Sequence, residues 1–178
     1  DFVTIYPDKF NNKTNGITHR RWLLFSNPQL TQLLEETIGD EFKTNPEKLE
    51  DLMAHVEDEA LQNKFMDVKL ERKKILAAYV KENLGIDIDV NSIFDCQAKR
   101  LHAYKRQLLN IFHVMYLYLR MKQDPSFRIY PRTFFYSAKA AASYGLAKEI
   151  IKLINMVANV VNNDPEISKY MKVVFIPN

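Results

Sequence analysis

The apolar positions of this chain repeat with a helical period in its first half and switch to alternating strands and helices in its second half. Before residue 29 the chain shows turn signals such as Asn15-Gly16 and no sustained period, so residues 1–28 are predicted to be irregular. Residues 29–91 are predicted to be helical, with helices at 30–38, from about 46, and at about 57–83.

Residues 92–178 follow the order strand–helix–strand–helix–strand. The predicted strands are 93–98, 132–137 and 172–176, and the predicted helices are 103–122 and 141–161. The apolar stripe of the first of these helices is predicted to be Leu108, Phe112, Met115 and Leu119. This order favours an α/β fold with a parallel sheet, because parallel neighbours need a crossover. Ligands bind beyond the carboxyl ends of the strands in such sheets.

Composition narrows the class of protein. The 178 residues carry 25 basic and 22 acidic side chains, a net charge of +3, which argues against a dedicated nucleic-acid-binding protein. The single cysteine, Cys96, excludes an internal disulfide, and no apolar run approaches the ~20 residues that span a bilayer. The chain begins without Met and ends on a strand-like run, so we expect it to be a piece of a longer protein.

Positive charge is concentrated at the predicted junction between the first strand and its helix. Lys99 and Arg100 directly follow strand 93–98, while Lys105 and Arg106 lie in the first turn of the predicted helix. Because a helix start already carries partial positive charge, such a cluster favours a bound anion. Arg offers a planar fork of donors and Lys a movable charge, and both suit phosphate oxygens. On spacing alone, a solvated basic surface is an equal alternative.

Two further positions are candidates for ligand contact. Lys139 follows strand 132–137 among small residues that permit close approach, although a surface lysine with its stem lying along the protein is an equal alternative. Asn15 lies in an Asn-rich loop whose amides suit sugar hydroxyls, whereas composition alone favours an ordinary surface loop. The four histidines lack metal-ligand spacing, so no metal site is predicted.

Several long motifs, in order and spacing, resemble the α-glucan phosphorylase family, which comprises glycogen, starch and maltodextrin phosphorylases. The motifs are NKTNGIT (12–18), RRWL (20–23), KRLHAYKRQLLN (99–110), PRT (131–133), IIKLI (150–154) and VVNNDP (160–165). The resemblance extends from about residue 5 to the last residue.

The resemblance implies a fold and an activity. The family has two Rossmann-like domains that face a cleft, a GT-B-type glycosyltransferase fold. Residues 92–178 would form the incomplete start of its C-terminal domain, and residues 1–28 would lead there from the N-terminal domain. Family members are glycosyltransferases of glycogen metabolism that use pyridoxal 5′-phosphate. They cleave terminal α-1,4-glucosyl residues with inorganic phosphate and release glucose 1-phosphate. The implied parent is a cytoplasmic homodimer without a nucleic-acid or membrane partner. The family includes allosteric enzymes, whose control sites lie mostly in parts outside this chain.

The resemblance also implies residue roles. Lys99 matches a contact of the cofactor phosphate, Arg100 and Lys105 match contacts of the substrate phosphate, and Asn15 matches a contact of a sugar hydroxyl. Lys139 is a further candidate. The family's lysine that binds pyridoxal covalently, and its catalytic-site glutamate, come after residue 178, so we expect the isolated chain to be inactive.

The chain departs from the family pattern at three places. Ala103 stands where Glu is common, His19 where Pro is common, and residues 137–144 replace a stretch that usually contains glycines. The last change predicts an altered backbone, since Gly permits conformations that Ala does not. The alternative function is a non-catalytic module that binds phosphate or a sugar phosphate, because a fold does not fix an activity. A nucleic-acid-binding protein is a third hypothesis, which the small net charge disfavours.

Overall fold

In the computed structural model, residues 1–177 are described, and the chain divides into two compact units, residues 1–69 and the part that starts at Leu70. The helices are α1 (Phe2–Ile5), α2 (Pro28–Ile38), α3 (Glu59–Leu84), α4 (Gln107–Gln123) and α5 (Gly145–Asn163). The strands are β1 (Ile93–Ala98), β2 (Arg132–Ala138) and β3 (Met171–Pro177). Short 3-10 helices lie at Pro7–Lys9, Glu41–Lys43, Pro46–His55 and Ala103–Lys105, and Arg20–Phe25 is a π-helical turn.

The first unit confirms the helix predicted at 30–38, which starts two residues earlier, directly after Asn27. The Asn27 side chain accepts a hydrogen bond from the backbone N–H of Leu30 at 3.2 Å, Pro28 occupies the first turn, and Gly39 ends α2 with a φ of 77°. The prediction of an irregular segment over residues 1–28 is wrong in part, because it contains α1 and the π-helical turn. Both are too short to produce a periodic apolar pattern.

The second unit confirms the predicted α/β class. Its three strands form one parallel sheet in the order β1-β2-β3, with α4 and α5 in the two crossovers. In β1 and β2, Ile93 is the partner of Arg132 and Ala98 is the partner of Ser137. This register aligns the carboxyl ends of the two strands.

Both faces of β2 and β3 are covered, whereas the residues of β1 are half-buried or exposed. Phe134, Tyr136 and Val173 belong to the large core that the helices α4 and α5 complete, whereas Phe135 and Val174 pack with Val80 of α3 on the other face. The alternation follows from the two-residue period of a strand. All five of these strand residues are at most 3% exposed.

The face that α4 turns to the core matches the predicted stripe only in part, because Leu108 and Met115 pack against the core as partly buried residues. Its buried residues are Gln107, Ile111, Val114 and Met121, while Phe112 and Leu119 are about half exposed at 48% and 51%. The helix is apolar on several sides, so its period alone does not identify the core-facing side.

The end of α5 is fixed to β3 by one side chain. Asn162 donates from Nδ2 to the carbonyl oxygen of Val173 at 2.7 Å and accepts from the N–H of Val173 at 2.9 Å. Val173 is fully buried, so its backbone groups have little other access to partners.

We therefore expect Asn162→Ala to lower the free energy of unfolding by about 1–3 kcal/mol, because it leaves buried backbone groups unpaired. Urea denaturation of the chain measures this change. Asn155→Ala is the matched control, since Asn155 is exposed on the same helix and donates only to the carbonyl oxygen of Ile151 within it. Equal losses in the two variants would contradict the assigned role of Asn162.

Candidate functional site

The segments that follow β1 and β2 stay paired beyond the ends of the strands. The N–H of Lys99 donates to the carbonyl oxygen of Ser137 at 3.1 Å, and the N–H of Leu101 donates to the carbonyl oxygen of Lys139 at 3.1 Å. Lys99, Arg100 and Lys139 are therefore held at the same edge of the sheet. Both segments thus lie beyond the carboxyl ends of their strands, where ligands bind in parallel sheets.

A tight turn connects this edge to α4. His102 is extended, Ala103–Lys105 form a single 3-10 turn, and Arg106 has a left-handed backbone with a φ of 60° and a ψ of 30°. The left-handed residue interrupts the helical run, so α4 starts at Gln107. The prediction that Lys105 lies in the first turn of this helix is wrong, and Lys105 instead lies in the turn before it.

A pocket of about 680 Å³ lies beside this turn. It is lined by three cationic residues, three small or aliphatic residues and three aromatic residues, namely Arg100, Lys105, Lys139, Leu101, Ala140, Ala141, His102, Tyr104 and Tyr144. Three of the five predicted site residues thus meet at one pocket. Lys99 does not belong to the lining among the described residues, although it is adjacent in sequence to Arg100.

Asn15 belongs to the first unit. It is exposed and lies in a stretch without regular secondary structure, before the π-helical turn. Its role as a sugar contact stays a prediction. His19, in the same stretch, bonds through Nε2 to the carbonyl oxygen of Lys43 at 2.9 Å and so ties this segment to the 3-10 helix Glu41–Lys43.

The cationic residues of the pocket have no acidic partner in the described part of the chain. None of Arg100, Lys105 and Lys139 forms a salt bridge there, whereas Lys43 and Lys122 do. The Lys105 ammonium instead lies 5.5 Å from the centroid of the Tyr104 ring. Unpaired like charges around one pocket repel each other, and a bound anion relieves this repulsion.

Aromatic side chains form one wall of the pocket. The His102 ring centroid lies 4.2 Å from that of Tyr104 and 5.1 Å from that of Tyr144. The Tyr144 hydroxyl accepts a hydrogen bond from the N–H of Ala103 at 3.3 Å. Tyr144 therefore connects the loop after β2 to the turn that carries Lys105, although Ala103 lacks the carboxylate that is common at its position.

The replacement of glycines at the end of β2 and in the loop after it does not strain the backbone. Among the described residues, Arg106 is the one non-glycine residue with a positive φ. Ser137, Ala138 and Ser143 consequently adopt conformations that are ordinary for residues with a Cβ. The sequence predicted an altered backbone at residues 137–144, and the structure has no residue with a positive φ in this stretch.

The core beneath the pocket contains a tyrosine that joins β2 to α4. Tyr136 is 1% exposed, and its hydroxyl donates to Oδ1 of Asn110 in the first turn of α4. Burial, and secondarily the negative charge of Asp95, raises the pKa of Tyr136, so the hydroxyl stays protonated and available as a donor. This bond fixes the start of α4 against the strand that leads to Lys139.

Residue-based reasoning did not single out Tyr144 or Gln107 as parts of the site. Gln107 is 1% exposed and lies on the same side of α4 as Ile111 and Val114. The helical spacing of these three residues could have indicated from the sequence that Gln107 is buried. The contact of Tyr144 with Ala103 could not be predicted from a sequence pattern, because it depends on the register of the sheet.

Other kinds of site find less support. The described residues include no group of three or more His, Cys, Asp or Glu side chains that could hold a metal ion. Within the same residues, no helix is both long and apolar enough to cross a membrane.

A cationic pocket beyond the carboxyl ends of a parallel sheet, at a strand-to-helix junction, is typical of α/β proteins that bind phosphate or another anion. Comparison with known proteins identifies the family within this class. The family model for carbohydrate phosphorylase matches residues 1–178, and the chain belongs to this family.

Curated relatives are similar in sequence to this chain over its whole length. Glycogen phosphorylase of Bacillus subtilis (strain 168) is 51% identical over 178 residues, that of Synechocystis sp. is 47% identical, and the muscle form of Oryctolagus cuniculus is 46% identical. All of this chain is covered in each case, but only 22%, 21% and 21% of the respective relatives. The chain thus spans about a fifth of their length.

The left-handed backbone of Arg106 is open to a direct test. We expect Arg106→Gly to keep the free energy of unfolding within about 1 kcal/mol of the original, because relief of the positive φ offsets the greater freedom of Gly in the unfolded chain. Arg106→Val should be less stable than Arg106→Gly by at least about 1 kcal/mol, since a β-branched residue disfavours this conformation. Urea denaturation measures both, with Arg106→Ala as the control for loss of the side chain. A valine variant as stable as the glycine variant would contradict the assignment.

Proposed function

We propose that this chain is part of a phosphorylase that cleaves terminal α-1,4-glucosyl residues of glycogen or maltodextrin with inorganic phosphate and releases glucose 1-phosphate. The observation that carries the proposal is the convergence of Arg100, Lys105 and Lys139, without acidic partners among the described residues, on one pocket beyond the sheet. Family membership supports the reaction, and the relatives are named glycogen phosphorylase. Because the chain spans about a fifth of these relatives, the activity is proposed for the whole protein.

In this proposal Arg100 and Lys105 bind the substrate phosphate. The guanidinium of Arg100 offers paired donors to two phosphate oxygens, and the half-buried Lys105 offers a charge that the Tyr104 ring faces. Lys139 is the third cation of the pocket and adds to the attraction. Asn15 is proposed to hydrogen-bond a sugar hydroxyl.

The residues present fit a second phosphate close to the first. Lys99 is exposed next to Arg100, and the backbone bond to Ser137 holds it at the same edge as the pocket. We assign it to the phosphate of pyridoxal 5′-phosphate, whose covalent lysine belongs to another part of the parent protein. When bound, this cofactor supplies a phosphate group that assists proton transfer at the substrate phosphate. The cations of this chain hold the two groups together against their repulsion and stabilise charge that develops during the reaction.

The larger organisation follows the same reasoning. We propose that residues 1–28 connect from the N-terminal domain, that residues 29–91 form a helical region, and that residues 92–178 begin the C-terminal Rossmann-like domain of a GT-B-type fold. The parent is proposed to be a cytoplasmic homodimer under allosteric control. Size measurement of the full-length protein by light scattering tests the dimer.

The direct test is phosphorolysis by the full-length parent. We expect Arg100→Ala and Lys105→Ala each to lower kcat/KM for phosphate by about 10²–10³-fold, because each removes a charged donor from the developing charge. The measurement is glucose 1-phosphate release from maltodextrin and phosphate. Lys152→Ala is the matched control, since Lys152 is an exposed lysine on α5 that does not line the pocket.

Two outcomes would argue against the proposal. Full activity in both variants would place the phosphate elsewhere. An inactive parent, supplied with pyridoxal 5′-phosphate, would favour a non-catalytic module that binds phosphate or a sugar phosphate. Phosphate binding by that parent would then be the remaining function.

A further inference from the structure

A buried amide side chain lies between the cationic segment and α4. Gln107 is the first residue of α4 and is 1% exposed. Its Nε2 donates to the carbonyl oxygen of Arg100 at 3.1 Å, and its Oε1 accepts from the N–H of His102 at 3.5 Å. One side chain thus contacts the backbone on both sides of Leu101.

These two bonds complete a clamp on the segment that carries Arg100. The N–H of Leu101 points the other way, to the carbonyl oxygen of Lys139. In an extended chain, the backbone groups of successive residues point to opposite sides. Lys139 therefore holds the segment on one side, while Gln107 takes the place that a neighbouring strand would occupy on the other.

Capping of its own helix does not account for Gln107. The N-cap residue of α4 is Arg106, and no side chain caps the first turn of the helix there. Both polar atoms of the Gln107 amide are directed to the preceding segment instead. A buried amide without hydrogen-bond partners would cost free energy. The two hydrogen bonds to residues 100 and 102 therefore explain why a polar residue can be buried at this position.

We propose that Gln107 is a positioning residue for phosphate binding. Its side chain fixes the backbone of Arg100 and His102, so that the pocket is already formed before the anion binds. The inference rests on the proposed function and assigns a role beyond it. If residues 100–102 were free to move, binding would have to order them, and the affinity for phosphate would fall accordingly. A displacement of about 1 Å at a binding group costs up to about 100-fold in rate.

The test uses the full-length parent with Gln107→Met, which keeps the length of the side chain and removes both hydrogen bonds. We expect the KM for phosphate to rise on the order of 10- to 100-fold, while the KM for maltodextrin changes less than about twofold. Gln123→Met is the matched control, because Gln123 is the exposed last residue of the same helix. The control should leave both KM values unchanged.

Amide hydrogen exchange gives a readout that does not depend on turnover. In Gln107→Met, the amide of His102 should exchange faster because it loses its acceptor, whereas the amide of Leu101 keeps its bond to Lys139 and should change less. If the parent shows no phosphorolysis, the proposed function fails. Titration of inorganic phosphate, together with this exchange pattern, still tests Gln107 in that case.

Gln107→Asn repeats the test if the methionine variant does not fold, because it retains an amide that is one methylene too short to reach both partners. An unchanged KM for phosphate, or an equal rise in both KM values, would overturn the proposal. Loss of folding in both variants would overturn it as well, since it would make Gln107 a purely structural residue.

Discussion

The parallel pairing of β1 with β2, continued past the ends of both strands, is the constraint on which the rest of the site depends. The continued hydrogen bonds set Lys99 and Arg100 beside Lys139, although about 40 residues separate them in sequence. The register also sets the position of the loop after β2, whose Tyr144 hydroxyl accepts from the turn before α4. A shift by one residue would turn every side chain to the opposite face of the sheet. The positions of the pocket residues are therefore fixed by the register of β1 and β2.

Two features that cost free energy lie where the pocket forms. Cations gather without acidic partners among the described residues, and Arg106 adopts a backbone that costs a non-glycine residue roughly 1–2 kcal/mol. The surrounding structure compensates with two strands, β2 and β3, that are buried on both faces and with the bond from Tyr136 to Asn110. Unfavourable features gathered at one place, on a well-packed support, are typical of a binding site.

The strands could be predicted from sequence because their signal is local. Strand 93–98 matches β1, and the other two strands differ from the prediction by at most one residue at either end. The start of α4 could not be predicted in the same way, because the pattern of residues 103–106 is compatible with a helix and only the left-handed Arg106 separates the turn from it. The charges that define the site were readable from the order Lys99-Arg100 after a strand. The clamp at Gln107 and the contact of Tyr144 depend on the tertiary arrangement, which no single segment specifies.

The side chain of Asn162 has a consequence for the outer side of β3, which is an edge strand of the sheet among the described residues. In a parallel sheet the edge strand presents alternate N–H and C=O groups on its outer side, and such a row is a template for another strand. At Val173 this row is already occupied by the carboxamide of Asn162. An incoming strand would have to displace a side chain that is anchored in α5 before it could pair at the middle of β3. Among the described residues, the same amide that secures α5 thus takes up the backbone groups of Val173 that an added strand would need.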